Sequence, residues 1–424
     1  MQRIRSWGET RSAPIVVTFA LVIGGFAYLV CWNMLSHRGW VCVSDLWNST
    51  SVSLAISQGH WSAAYTAMPK VITPPGLEVI LAPVVALGHA LGLHPPHRGT
   101  NTGGTLGVVV VPTATILAST VLFAIDAVAR SWHFSEAKRV ALALVAGLGV
   151  VSAVVFWVHP EDCVALALVI WAALVVDREG SSGLATAGWL LGIAVAFQPL
   201  ALLGVTPILA RCAWRSLPAQ AVRLALPSAA LVLLPLLASP HQTLRALMAQ
   251  PYFPVAESYT PFGSLAPHLG DGLRGGGPMR LFVTVAAVLL GYAVCRRRHD
   301  LPLVLLAIAL ACALRVFFET ELLGFYFFPV TVICLLLALR PSWRDFGVCS
   351  AAAVACIALG NRREHSIALW WPAIMATAVL ALVVVTVPIV TEYRASAQLR
   401  LPPGSATPTQ WSRLRTTHGA GVGI

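Results

Sequence analysis

Residues 158–171 read VHPEDCVALALVIW, a histidine, a proline and two carboxylates set directly against a hydrophobic run. An ionised group held at the centre of a bilayer costs about 2.5–3.5 kcal/mol even on the lenient insertion scale. The cluster therefore belongs at a membrane surface or in a watered cavity, with a membrane helix starting behind it. The surrounding chain is of that kind. Of its 424 residues 57% are hydrophobic and only 11% charged, where a soluble domain carries about a quarter charged residues.

Working outward from this stretch, apolar runs recur at 14–35, 76–93, 105–126, 140–158, 163–176, 184–210, 222–239, 279–295, 301–317, 323–339, 346–360 and 370–390. Runs of this length suit helices crossing a hydrocarbon core of about 30 Å. The fold expected is all-α: a polytopic transmembrane protein of about 11–13 membrane segments, some re-entrant or broken. The run 184–210 is expected to break at FQPL, because Pro199 lacks a donor and clashes with the preceding turn. Residues 1–390 form one integral-membrane domain with longer exterior loops at 36–75 and 240–278. The Pro/Gly/Ser/Thr-rich tail 391–424 is expected to be disordered and cytoplasmic. The first run, from Ile15, is too long for a signal-peptide core and reads as an uncleaved anchor.

The net charge of +11 reports orientation more simply than a nucleic-acid partner. With both termini inside, the inner side gathers 19 of the 28 Lys and Arg. For this to hold, 76–93 must dip into the membrane and return. Only Lys70 and Lys138 are lysines, a bias that suggests a GC-rich bacterium and hence a bacterial plasma membrane. The nine cysteines lie mostly inside apolar runs, without a C-x-x-C pair, as buried thiols do.

On this orientation the acids collect outside. Asp45 is the one carboxylate of residues 41–66, a stretch that alternates polar and apolar residues as an interfacial amphipathic helix would. Its oxygen could cap that helix or act on a substrate. His159, Glu161 and Asp162 could cap a helix that Pro160 begins, or bind a sugar or a cation. Three titratable groups in four residues exceed what a cap needs. Glu319 and Glu321, in FFETELLGFYFFPV with Tyr326, belong to an outer turn, where a solvated loop accounts for them equally well. The Pro/Gly-rich stretch 248–278 is either a connector or a lid; its Arg274 could hold a phosphate or simply snorkel. The exterior carboxylates permit a divalent ion without specifying one, so no cofactor follows. The absence of a G-x-x-x-x-G-K-[ST] loop disfavours direct use of ATP. No internal repeat is visible, which disfavours inverted-repeat transporters.

SDLWNSTSVSLAISQGHWSAAY, TPPGLEVILAP, HPEDCVALALVIWAALVV, GWLLGIAVAFQPLALLGVTPILA and GFYFFPV together give the chain a layout that resembles the C-type integral-membrane glycosyltransferases. It is most similar to the polyprenyl-phosphate-mannose-dependent family, glycosyltransferase family 87. Gln198 stands where that family commonly has lysine, and HPED replaces a more usual neutral turn. The resemblance implies transfer of a sugar, mannose, from a polyprenyl-phosphate donor to an envelope glycolipid or glycan outside the membrane. It implies Asp45 as general base of an inverting displacement. His159, Glu161, Asp162, Gln198, Glu319, Glu321, Tyr326 and Arg274 would then contact donor or acceptor. The rival class is a secondary transporter or lipid flippase, which would place its charges at mid-membrane depth.

Overall fold

The computed structural model describes residues 11–36, 46–66, 73–95, 104–251, 260–262, 268–270, 273–275, 277–296, 300–319, 322, 324–360 and 367–398. In chain order the helices are α1 (Ser12–Ser36), α2 (Leu46–Ser57), α3 (Ala63–Thr66), α4 (Gly76–Ala90), α5 (Gly107–Ala118), α6 (Thr120–Ser131) and α7 (Glu136–Val151). There follow α8 (Pro160–Glu179), α9 (Leu184–Phe197), α10 (Leu202–Leu209), α11 (Leu217–Ala238) and α12 (Pro240–Met248). The last five are α13 (Gly277–Cys295), α14 (Leu301–Phe317), α15 (Phe328–Ala338), α16 (Trp343–Gly360) and α17 (Ile367–Gln398). Three short strands, β1 (Ala249–Pro251), β2 (His268–Gly270) and β3 (Leu273–Gly275), form an antiparallel sheet in the order β1-β3-β2.

Five stretches are long and apolar enough to cross a membrane: 107–131, 136–155, 214–238, 343–360 and 370–395. Shorter apolar helices accompany them, so the chain is a helical, membrane-embedded protein. Where the sequence suggested one segment at 105–126, α5 and α6 continue to Ser131 as a stacked pair. The last helix runs through Gln398, eight residues into the tail expected to lack structure. Its TEYRASAQ end contains no glycine or proline to stop it.

Contacts fix the two ends of the bundle. Ser12 Oγ donates to Glu136 Oε1 at 3.2 Å, Lys138 Nζ donates to the Leu339 carbonyl at 2.9 Å, and Arg340 meets Glu392 at 3.5 Å. The starts of α1 and α7 and the ends of α15 and α17 therefore lie together. Arg11, Arg139 and Arg178 are each within electrostatic range of Arg130 at this end, where Asp126 binds Arg139 through both oxygens at 2.6 and 3.2 Å. From here the membrane-length stretch Glu136–Val155, α7 with the start of the turn after it, runs 20 residues, about 30 Å at 1.5 Å per residue, before the chain turns into the HPED stretch. One end of the bundle is basic and the other carries the buried acids.

At the acidic end lies α4, an apolar helix shorter than the five long stretches. Its 15 residues span only about 22 Å. Its first residue, Gly76, packs on Ala196 at the end of α9, while Gly88 packs on Leu106 and Val109 at the start of α5. α4 thus links the end of α9 to the start of α5. The segment expected as an interfacial amphipathic helix packs instead on α4 through a mixed face of Ser49, Thr50, Val52, Ser53 and Ile56, all buried. Small hydroxyl residues permit such close helix approach.

The largest buried apolar cluster is drawn mainly from α4–α10 and α14–α16, with smaller clusters around Trp370, Tyr65 and Leu203. By contrast α1, α11, α13 and α17 present exposed Phe19, Leu237, Leu281, Leu289 and Val387 outward, as lipid-facing helices do. Gly192 of α9 lets the α11 backbone approach, since a Cβ there would overlap the Arg223 carbonyl, and Gly188 makes room for the Gln220 side chain of α11.

Candidate functional site

The site forms where two helices meet end to end with a strained turn. After α7 the chain widens into a π turn at Ser152–Phe156. Val158 then takes φ +57° while 1% exposed, a conformation that β-branched residues strongly resist. The Val158 and His159 amides bond back to the Val154 and Ala153 carbonyls, which holds the reversal in place. Pro160 starts α8, where its missing N–H is harmless. The two acids follow in the first turn, favourably placed against the helix dipole. Backbone strain of this kind is retained where the surroundings over-determine it, commonly at functional sites.

The second half of the site is the break in 184–210. α9 ends at Phe197, Gln198 is extended (φ −149°, ψ 115°), and a 3-10 turn over Pro199–Ala201 leads into α10. The break frees the Gln198 side chain to cross to α8, where Nε2 donates to Asp162 Oδ1 at 2.7 Å. His159 Nδ1 lies 2.5 Å from Glu161 Oε1, and the imidazole stacks on Phe325 at 4.1 Å between centroids. Phe325 packs edge-on against Tyr326, and Arg315 lies 5.8 Å from the Tyr326 ring. Arg315 forms an ion pair with Glu319 and is within electrostatic range of Asp162.

Six of the residues singled out from sequence thus come together: His159, Glu161, Asp162, Gln198, Glu319 and Tyr326. For Glu319 the structure corrects one expectation. It is 2% exposed and paired one helical turn from Arg315, so it is no part of a solvated loop. Asp45 and Glu321 lie outside the described residues. Arg274 is described only through its backbone, on β3 opposite Gln250 and His268; its side chain lies outside what is described.

Two charged residues of the site escaped the sequence reading. Glu78, in the first turn of α4 and 6% exposed, is within electrostatic range of Glu161 and His159. Arg315, near the end of α14, supplies the site's guanidinium. The signal in each case was an ion inside an apolar run, which membrane helices seldom carry without purpose. Tyr65 of α3 lies above Glu78. Its hydroxyl donates to the Thr73 carbonyl at 3.0 Å, and burial, followed by the Glu78 carboxyl, pushes it above the ordinary tyrosine range.

Glu78, Glu161, Asp162 and Glu319 are all buried, facing one imidazole and one guanidinium. Such groups must neutralise, pair or find donors, since an isolated buried charge costs several kcal/mol. Among the described residues Asp162 Oδ2 and Glu161 Oε2 have no hydrogen-bond partner, so both are acceptors available for a hydroxyl or a proton. Beside them a cavity of about 30 Å³ is lined by Asp162, Gln198, Leu166, Gly204, Cys312 and Pro329. Among the described residues no three of His, Cys, Asp and Glu converge in a geometry able to hold a metal ion. The arrangement can accept hydrogen bonds from polyols and exchange protons. No family model matches the chain, and no curated protein matches it.

Proposed function

We propose that this protein is an integral-membrane glycosyltransferase that moves a sugar from a polyprenyl-phosphate donor to an envelope glycolipid or glycan, with inversion. The observation that carries the proposal is the meeting of His159–Glu161 with Asp162–Gln198 at a helix break on the acidic end of the bundle. Irregular backbone is tolerated at membrane depth only where protein buries it or a watered cavity adjoins it. Unpartnered carboxylate oxygens suit sugar hydroxyls. By the positive-inside rule the basic end is cytoplasmic, so the site and a membrane-delivered donor share the outer face of a bacterial plasma membrane. A lipid phosphate is a good leaving group. One carboxylate, Asp45, then suffices to deprotonate the acceptor hydroxyl, a contribution of about 10²–10⁴-fold. In this reading Arg315, beside the Tyr326 ring, meets the departing phosphate by exchanging its carboxylate partner.

The test is the glycolipid and glycan profile of a deletion strain complemented with wild type, Asp45→Asn or Glu161→Gln. One glycoform should disappear on deletion and return only with wild type. An unchanged profile on deletion refutes the proposal. A second reading, a proton-coupled transporter or lipid flippase, is favoured by one observation: the burial of Glu78, Glu161 and Asp162 beside a titratable imidazole. It requires substrate accumulation in proteoliposomes driven by a pH gradient, which the transferase does not.

A further inference from the structure

At the opposite, basic end the turn after α6, the end of α15 and the last third of α17 enclose a cleft of about 330 Å³, within the size range of ligand sites. Trp132 and Phe134 form one wall, Pro388 and Ile389 the other, and Arg340 and Glu392 stand at the mouth. Arg340 lies over the Trp132 ring at 5.2 Å, so its guanidinium is held in place on an apolar surface. Its contact with Glu392 is loose: 3.5 Å, with the carboxylate side chain 65% exposed. Exposed pairs of this kind contribute little and exchange readily. Lys138 sits close by, its ammonium 5.1 Å from the Phe134 ring. Of the nearby acids, Glu136 accepts from Ser12 and Asp345 from Ser342, so Glu392 is the carboxylate that an incoming anion has to displace from Arg340.

We infer that this cleft is a binding site for an anionic phospholipid of the leaflet at the basic end. The phosphate displaces Glu392 from Arg340, and the first part of an acyl chain lies between Trp132 and Pro388–Ile389. Three features select this occupant. The cleft opens beside the outward apolar face of α17, at Val383 and Val387, where lipid chains arrive. Its walls are apolar and aromatic. Its one fixed cation lies at headgroup depth, as in basic pockets between membrane helices that hold anionic headgroups.

The experiment uses the full-length protein, purified in detergent and stripped of lipid. It is titrated with phosphatidylglycerol or phosphatidylcholine of matched chains and read by native mass spectrometry. Wild type should retain phosphatidylglycerol about fivefold more strongly, the preference one arginine confers near an anionic surface. Arg340→Gln should erase that preference. Ile389→Trp keeps every charge but fills the cleft, and should lower retention of both lipids. Equal retention of the two lipids by wild type, or an undiminished preference in Arg340→Gln, overturns the assignment. If inorganic phosphate displaces bound lipid as effectively as phosphatidylglycerol does, the cleft is a phosphate site and the lipid assignment also falls.

Discussion

Replacing Gln198 with leucine probes the join on which the site depends. Its Nε2 donates to Asp162 Oδ1 at 2.7 Å, and the other carboxylate oxygen has no hydrogen-bond partner among the described residues. Asp162 is 4% exposed, so bulk water does not reach it, and one or two waters confined to the adjoining cavity of about 30 Å³ replace the lost donor only in part. A hydrogen bond to a charged group contributes about 1.5–3 kcal/mol, and stranding its buried partner costs about as much. Gln198→Leu should therefore destabilise the protein by about 2 kcal/mol. Asp162→Leu strands the Gln198 amide and should cost about 1–2 kcal/mol. With both replaced, no polar group is left stranded, and the double variant should lose less than the sum by about 1.5 kcal/mol or more. Unfolding free energies from detergent-driven denaturation of the four proteins close the cycle. Losses that add within about 0.5 kcal/mol would show that the two side chains are not coupled, and the account of the helix break would fail with them.

Gly76→Ala places a Cβ over the Ala196 carbonyl oxygen and 3.0 Å from its carbon. Backbone cannot rotate away, so a loss of about 1–3 kcal/mol is expected, read as a lower unfolding temperature. Asp126→Asn breaks the bonds to Arg139 and the 3.0 Å contact with Arg130 Nε at the basic end; a cost of about 3 kcal/mol is expected, seen in the same assay. Tyr65→Phe removes the bond to the Thr73 carbonyl and should cost about 1 kcal/mol at pH 8. Because the folded Tyr65 hydroxyl titrates above its unfolded value of about 10, wild type loses stability as pH rises past 10. The gap between wild type and Tyr65→Phe should therefore narrow between pH 9 and pH 11; a constant gap would contradict the burial of that hydroxyl.

Local chemistry made part of this architecture legible in advance. Pro199 lacks the amide that a continuous helix at 184–210 would need, and Pro160 sets the first turn of α8, so both discontinuities could be read directly. The basic residues distinguished the two ends because lipid makes charge placement expensive. Other features depended on distance in three dimensions. Glu78 meets the field of Glu161 across 83 residues (161 − 78), which no local spacing encodes. Glu319 read as solvated because its pairing with Arg315 requires α14 to bury its last turn. The tail was read from its Pro/Gly content, which starts only after the helix-compatible residues 391–398.

The central claim is sugar transfer from a lipid-linked donor at the acidic end. The most direct measurement reconstitutes the purified protein in proteoliposomes with polyprenyl-phosphate [14C]mannose and the lipid extract of a deletion strain. Label should move into a new glycolipid, and Asp45→Asn should slow that transfer by about 10²–10⁴-fold at equal protein. If the label stays on the donor with wild type, while the donor itself is carried across the bilayer, the protein is a flippase and the transferase account is wrong.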